Sequence, residues 1–305
     1  MFLGLASFLA AACSNSGTSP ADSRKIVLVT GATGTQGGAV ARELVTRGYS
    51  VRGLSRNPGS ERALELPKIG IQVVKGDFDE AGSLDAAMQG VYGVFAVTNY
   101  WEHGFEREIA HGRQLVDAAE RAGIKHFVFS SVAGADSGTD LPHFDSKADI
   151  EAYLVQSALD YTIVRPVEFL DNLRDLRAEL MIGHFVDPRD GGKSHQWIAA
   201  HDIGFFVGEA FDNPDTWIGV TEEIAGVEMT LTEFTSVVSS VTGIEVQHIQ
   251  VNWADYEIAV GTEIADMVRW FNDVGYSADL GRLRARYPGL MTIEDYLVAE
   301  NWNKH

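Results

Sequence analysis

The segment KIVLVTGATGTQGG, residues 25–38, is the part of the sequence that is most informative about the fold. After Lys25, its first residues are all apolar or β-branched up to Thr30, which predicts a strand buried on both faces. The remaining eight residues space Gly31, Gly34 and Gly37 as G-x-x-G-x-x-G. The helix that follows is expected from Ala39 to Arg47. A strand, a glycine-rich turn and a helix in this order form a phosphate-binding unit, because N–H groups at the start of the helix face the anion.

Strands and helices alternate regularly from this unit onward to about residue 166. The segments predicted to be strands are 25–30, 49–55, 71–75, 93–97, 126–130 and 161–165. Strands that alternate with helices imply a parallel sheet with right-handed crossovers. We therefore predict an α/β fold, a doubly wound parallel Rossmann sheet with a smaller C-terminal α/β lobe.

The chain divides into three segments by composition and pattern. We expect an apolar segment and linker at 1–23, a nucleotide-binding Rossmann domain at 24–166 and a C-terminal substrate or partner lobe at 167–305. The lobe is expected to return in part to the Rossmann sheet and to lie over its carboxyl edge. Ligands of open α/β sheets bind at that edge, so the lobe would help to form the site.

Composition excludes several classes of protein. The 305 residues include 24 Lys and Arg and 43 Asp and Glu, which gives a net charge of −19. Direct binding to nucleic acid is not expected, because phosphate neutralisation by basic side chains dominates that affinity. A single cysteine excludes a disulfide framework and a cysteine-based metal cluster. No spacing of His, Asp and Glu typical of a metal site is present, so no metal is predicted.

The N-terminal segment allows two interpretations. Residues 1–12 are almost wholly apolar and lead to Cys13 and a linker rich in Ser and Gly, as in a bacterial lipoprotein signal. However, no basic residue precedes the apolar run, and Ala10 stands where such signals usually carry Leu. The segment is either a lipid anchor at Cys13, which would be the only membrane contact, or an N-terminal extension. We expect a cytoplasmic protein, with a membrane-anchored lipoprotein as the alternative.

The residues that follow the second and third strands indicate which dinucleotide would bind. An NAD enzyme usually places Asp or Glu after the second strand, where it holds the ribose 2′-hydroxyl. This chain has Arg56 and Asn57 there, and a guanidinium can pair with a 2′-phosphate. The sequence thus predicts NADP(H) as the cofactor, with Arg52, inside the strand, as a competing candidate for the phosphate. Asp77 and Phe78, after the third strand, are candidates for contact with the adenine.

Several motifs resemble the NmrA-like family, a branch of atypical short-chain dehydrogenases. The glycine motif at 31–38 and the turn at 55–58 are similar to two of that family's motifs. Segments 97–102 and 143–147 resemble the HSCARG type of redox sensor, and 169–173 resembles the family's segment after the sixth strand. The resemblance covers nearly all of the chain beyond the N-terminal segment.

The resemblance implies a set of cofactor contacts along the chain. The glycine loop would hold the pyrophosphate, the turn after the second strand would face the 2′-phosphate, and later segments would line the nicotinamide and its ribose. The residues so implied are Gly31, Ala32, Thr33, Gly34, Thr35 and Gln36 for the pyrophosphate; Arg56 and Asn57 for the 2′-phosphate; Thr98, Asn99, Tyr100 and Lys147 for the ribose and nicotinamide side; and Phe169, Leu170, Asp171 and Asn172 for the nicotinamide end.

A missing tyrosine leaves the catalytic machinery open. Active short-chain dehydrogenases donate a proton from Tyr-x-x-x-Lys, whereas this chain has His143-x-x-x-Lys147. His143 and Lys147 are the catalytic candidates, since an imidazole can donate a proton near neutral pH. His143 is equally interpreted as a residue that leads into the helix expected from Ser146 to Ser157.

Three functions remain open on the sequence. The first is an NADPH-dependent reductase of a small electrophile such as a quinone. The second, which the resemblance implies, is a sensor that binds NADP(H) and a regulatory protein partner without turnover. The third is a structural or interaction protein that the dinucleotide only stabilises. The expected partner is accordingly a small-molecule substrate or a regulatory protein.

Overall fold

The computed structural model describes residues 24–303, and the predicted lipid anchor at Cys13 lies outside them. The strands in this part of the chain are β1 (Ile26–Val29), β2 (Ser50–Ser55), β3 (Ile71–Lys75), β4 (Gly93–Ala96), β5 (His126–Ser130), β6 (Tyr161–Pro166), β7 (Glu168–Phe169), β8 (His184–Asp187), β9 (Ser194–Ile198), β10 (Thr221–Ile224), β11 (Val227–Thr230) and β12 (Gln247–Gln250). The helices are α1 (Thr35–Thr46), α2 (Glu61–Glu65), α3 (Ala81–Met88), α4 (Tyr100–His103), α5 (Phe105–Ala122), α6 (Pro142–Val155), α7 (Leu173–Leu180), α8 (Ala200–Asp212), α9 (Pro214–Trp217), α10 (Leu231–Thr242), α11 (Trp253–Val260), α12 (Thr262–Asp273), α13 (Leu280–Arg286) and α14 (Ile293–Ala299), with 3₁₀ turns at Leu66–Ile69 and Leu170–Asn172.

The central sheet has seven strands in the order β10-β6-β5-β4-β1-β2-β3, and all of its neighbours are parallel. The strand order reverses beside β1, which is the switch point where open α/β sheets bind ligands. The predicted doubly wound Rossmann sheet is confirmed. Its seventh strand, β10, comes from the C-terminal part of the chain, which also forms the small sheets β11-β9-β7 and β12-β8.

Strand β1 is buried on both faces, as its apolar sequence predicts. Val27 and Val29 pack in one core cluster with Val40 and Leu44 of α1 and with residues of α8. Leu28 points the other way, into a second cluster formed with residues of α3, α5 and α6. Each fully buried Val or Leu stabilises the fold by about 1.5–3 kcal/mol relative to exposure. Helices thus cover both faces of the sheet, and the polar segments that could meet a ligand lie at its carboxyl edge.

Two helices begin earlier than the sequence pattern predicts. Helix α1 starts at Thr35 and not at Ala39, so the second half of the glycine turn is already helical. Helix α6 starts at Pro142 and not at Ser146. Proline suits the first helical position because the N–H of that residue has no partner within the helix. The proline ring also fixes φ close to its helical value. As a result His143 lies inside α6, where it is buried.

The C-terminal part of the chain has a core of its own. Trp197, Leu231, Phe234 and Trp302 are buried together between the small sheets and helices α10 and α14. Helix α10 begins with a capping box, in which the side chains of Thr230 and Glu233 each accept a hydrogen bond from the other residue's backbone N–H. Across residues 24–303, no helix combines the length and the apolar character that crossing a bilayer would require.

Candidate functional site

A cleft of about 580 Å³ lies at the carboxyl ends of β1, β2, β3 and β4. Its size is that of ordinary small-molecule and cofactor pockets. The structure brings most of the predicted cofactor residues to its wall and leaves others away from it. Those that line the cleft are Gly31, Thr33, Gly34, Thr35, Gln36, Arg56, Asn57, Asp77, Phe78, Thr98 and Asn99, whereas Ala32, Tyr100, Lys147, Phe169, Leu170, Asp171 and Asn172 are not part of its lining.

The glycine loop forms a tight turn that fits a pyrophosphate. Gly31 has φ 64° and its carbonyl accepts a hydrogen bond from the Gly34 N–H at 2.8 Å. A Cβ on Gly37 would lie only 2.4 Å from the carbonyl carbon and oxygen of Gly31. Only glycine permits this close packing of helix on turn, which directs the N-terminus of α1 into the cleft. Unpaired N–H groups and the helix dipole favour an anion there, so the residues present fit a dinucleotide phosphate.

Arg56 lies on the cleft wall after β2, and an acidic residue faces it. Its guanidinium is 2.7 Å from the carboxylate of Glu102 in α4, and both side chains are about half exposed. Sequence reasoning missed Glu102, because 46 positions separate it from Arg56 and only the fold brings the two together. It also missed Arg62, a second cation on this wall. The cleft thus has basic groups where a 2′-phosphate would bind, beside a carboxylate.

Three aromatic rings lie together on the wall of the cleft, one from the loop after β3 and two from α4 and α5. Phe78 contacts the ring of His111 edge-on, with centroids 5.3 Å apart. The His111 ring also contacts His103, and its Nε2 lies 3.0 Å from the carboxylate of Asp79. Sequence reasoning placed Phe78 here but missed both histidines. The flat ring of Phe78 suits contact with a purine, as its position after the third strand predicts.

Lys147 lies in a buried polar network behind the cleft wall. Its Nζ is 2.7 Å from both the Glu108 carboxylate and the Thr98 hydroxyl, and Ser146 donates a hydrogen bond to the other carboxylate oxygen. Burial raises the pKa of Glu108, but the charge of Lys147 and the hydrogen bonds outweigh it and hold that pKa below its usual value. Lys147 therefore fixes the position of Thr98, which lines the cleft.

His143 is buried beneath the aromatic side chains of α4. Its ring lies 5.0 Å from that of Trp101 and 5.7 Å from that of Tyr100, and its Nδ1 is 3.9 Å from the Glu263 carboxylate of α12. Burial lowers the pKa of His143 to about 4. The imidazole is therefore neutral at pH 7. The sequence-based expectation of a proton donor titrating near neutral pH does not match this environment.

A hydrogen bond joins the helix that follows the glycine loop to the end of a neighbouring strand. The Gln36 amide donates to the Ser130 hydroxyl at 2.6 Å, which joins the start of α1 to the end of β5. The segment 169–172 does not line the main cleft. Its Asp171 accepts a hydrogen bond from the Ala200 N–H at the start of α8 and lines a second cleft of about 370 Å³. Thr35 lines both clefts, so the second cleft lies next to the main one.

Comparison with known sequences identifies the family. The sequence model of the NmrA-like family matches residues 23–297. The chain belongs to the NmrA-like family. An NmrA-like family domain-containing protein of Dictyostelium discoideum is 28% identical over 91% of this chain and 98% of its own length. An NmrA-like family domain-containing oxidoreductase of Aspergillus hancockii is 31% identical over 73% of this chain and 74% of its own length.

Solved structures of other proteins share this fold. The triphenylmethane reductase of Citrobacter sp., complexed with NADP(H), has a TM-score of 0.78 and 21% identity over 90% of this chain and 99% of its own. NmrA, a negative transcriptional regulator in complex with NADP, has a TM-score of 0.76 and 22% identity over 92% of this chain and 98% of its own. A reductase and a regulator share the fold, so the fold alone does not choose between these activities.

Proposed function

We propose that this protein binds NADP(H) in the main cleft and uses it to reduce a small electrophile such as a quinone. The observation that carries the proposal is the glycine loop at the start of α1 together with Arg56 and Arg62 on the adjoining wall. The oxidoreductase of A. hancockii and the NADP(H)-bound triphenylmethane reductase support it as relatives. Dependence on NADPH also favours the predicted cytoplasmic location, where that cofactor is abundant.

Different residues of the cleft would hold different parts of the cofactor. The loop N–H groups would bind the pyrophosphate, Arg56 the 2′-phosphate, and Thr98, held in place by Lys147, the nicotinamide ribose. A bound reduced nicotinamide would supply the hydride. His143, which stands where a short-chain dehydrogenase has its tyrosine, is neutral and buried, so it does not supply a strong acid for a ketone oxygen. A quinone suits this site better, because the anion formed by hydride addition is stabilised by its aromatic ring and takes a proton from water.

Arg56→Ala tests the cofactor assignment. The variant should bind NADPH more weakly by about 1–3 kcal/mol, the range of a charge-assisted contact, because the 2′-phosphate loses its guanidinium partner. NADH has no such phosphate and should bind with nearly unchanged affinity, which makes it the internal control. Fluorescence titration with both cofactors measures the two affinities. Equal losses for NADPH and NADH would contradict the assignment of Arg56 to the 2′-phosphate.

Turnover is tested in one cuvette by following NADPH fluorescence. Mixing with the protein should enhance the emission, because the nicotinamide leaves water. Adding a panel of quinones should then make the signal decay faster than in a matched sample without protein. Binding without such decay would contradict the reductase proposal.

A second candidate function is an NADP(H) sensor of the HSCARG type that acts on a regulatory protein partner. The observation that favours it is that His143 and Lys147 are buried and do not line the main cleft, with no tyrosine in the position of His143. A protein that only reports on the cofactor needs the binding residues and no proton donor. Binding of NADPH without quinone-dependent decay would support this candidate.

A further inference from the structure

The acidic residue that faces Arg56 has a position from which it can influence the choice of cofactor. Glu102 belongs to α4, which follows β4 on the opposite wall of the cleft, and it lines the cleft together with Arg56. Its carboxylate oxygens lie 2.7 Å from the Arg56 guanidinium, 3.5 Å from the Asn99 amide and 3.7 Å from Nε2 of His103. These groups hold the carboxylate at the ribose end of the cleft.

We propose that Glu102 is a cofactor-selectivity residue, which competes with a 2′-phosphate for Arg56 and so narrows the preference for NADP(H) over NAD(H). The inference rests on the proposed cofactor site and deepens it. The end of β2 lacks the carboxylate that NAD enzymes use to accept a hydrogen bond from the ribose 2′-hydroxyl. Glu102, in the helix that follows β4, places a carboxylate beside Arg56, the arginine that favours the phosphate.

Electrostatics gives the direction of the effect. Arg56 holds the pKa of Glu102 below its usual value, so the carboxylate is ionised at neutral pH. A 2′-phosphate that pairs with Arg56 meets this negative charge and must displace or tolerate it, whereas a 2′-hydroxyl can donate a hydrogen bond to it. Because both side chains are about half exposed, solvent and salt screen the repulsion, and the effect is a matter of several-fold rather than of orders of magnitude.

The local structure allows Glu102 to move when a phosphate arrives. None of the four residues of α4 is buried. The helix ends at Gly104, which has φ 75° and open space around the position of a Cβ. The competition is therefore electrostatic, and Glu102 does not block the cleft. A change of charge at this position should alter cofactor affinity without altering the fold.

Glu102→Gln tests the proposal, with Glu106→Gln as the matched control. Glu106 is an exposed acid four residues along, in the first turn of α5, and it does not line the cleft. Both variants lose one negative charge in the same region. Glu102→Gln should bind NADPH about 3- to 5-fold more tightly and NADH with unchanged or weaker affinity. Glu106→Gln should stay within about twofold of wild type for both cofactors.

Titrations of NADPH and NADH at low and high salt separate the outcomes. A gain for NADPH alone that diminishes at high salt and largely disappears in an Arg56→Ala background supports the competition. An equal gain for both cofactors, or no difference between the Glu102 and Glu106 variants, overturns it while the cofactor site itself stands. Failure of the wild-type protein to bind either cofactor overturns the proposed function and this inference with it.

Discussion

Replacement of Lys147 by Met should lower the free energy of unfolding by about 3–5 kcal/mol at pH 7, because it leaves a buried carboxylate without its counter-charge. Glu108 is fully buried and lies 2.7 Å from the Lys147 ammonium. Methionine nearly keeps the length and apolar volume of the lysine stem, so little of this loss comes from packing. Urea unfolding of the variant and of the wild-type protein measures the difference.

The pH dependence of this loss of stability distinguishes an unpaired buried charge from a packing defect. Without Lys147, burial raises the pKa of Glu108 in the folded variant above its unfolded value. A group with a raised folded pKa contributes its full stability below the unfolded pKa and loses it as the pH rises through the folded pKa. The variant should therefore be closer to wild type at about pH 5 than at about pH 8.

A double variant provides the control for this prediction. Glu108→Gln combined with Lys147→Met removes both charges and should recover most of the lost stability, because no ion remains buried without a partner. For the single variant Lys147→Met, a loss of unfolding free energy below about 1 kcal/mol, the range of exposed ion pairs, would contradict the buried network. A loss in this single variant that is the same at both pH values would contradict it as well.

Gly37→Ala should abolish measurable NADPH binding and lower the free energy of unfolding by about 1–3 kcal/mol. The new Cβ would lie 2.4 Å from the carbonyl carbon and oxygen of Gly31 and 2.6 Å from the carbonyl oxygen of Thr30. These are backbone atoms of the β1–α1 turn and cannot rotate away. The turn must shift, and the N–H groups that would face the pyrophosphate shift with it. Cofactor titration and thermal unfolding measure the two effects.

Gly82→Ala is the matched control for this prediction. Gly82 lies in α3, and a Cβ there would meet no heavy atom within 4 Å. Alanine is favoured over glycine in a helix by about 0.5–1 kcal/mol, so this variant should be more stable and bind NADPH as the wild type does. If Gly37→Ala retains wild-type affinity for NADPH, the glycine loop is not the phosphate cradle.

The sequence predicted the sheet well and the helix starts less well. Strands β3 and β5 have the predicted bounds, because each is a short apolar run between breaks in the pattern. The start of α1 was missed because Gly37 and Gly38 have low helix propensity, and their close packing on the β1 turn overrides it. The start of α6 was predicted four residues too late, because Pro142 is itself the first helical residue and leads into the helix one turn earlier.

The candidate site was predicted in part. The glycine loop, Arg56 and Phe78 follow strand ends directly, and the carboxyl ends of parallel strands meet at one edge, so their shared cleft follows from local pattern. The burial of Glu108 was not predicted, because α5 contains several charged residues and its sequence does not show which of them is buried. Its partners come from β4 and α6, and only their packing places it inside the protein.

The family, the parallel sheet and the position of the glycine loop follow from the amino-acid sequence, because periodicity and short motifs depend on neighbouring residues. The packing of the fold determines which charges meet. It placed Glu102 opposite Arg56, paired Lys147 with Glu108 behind the cleft wall, and buried His143 beneath α4. Such pairings join residues that are far apart in the chain, and they depend on how whole elements pack against each other.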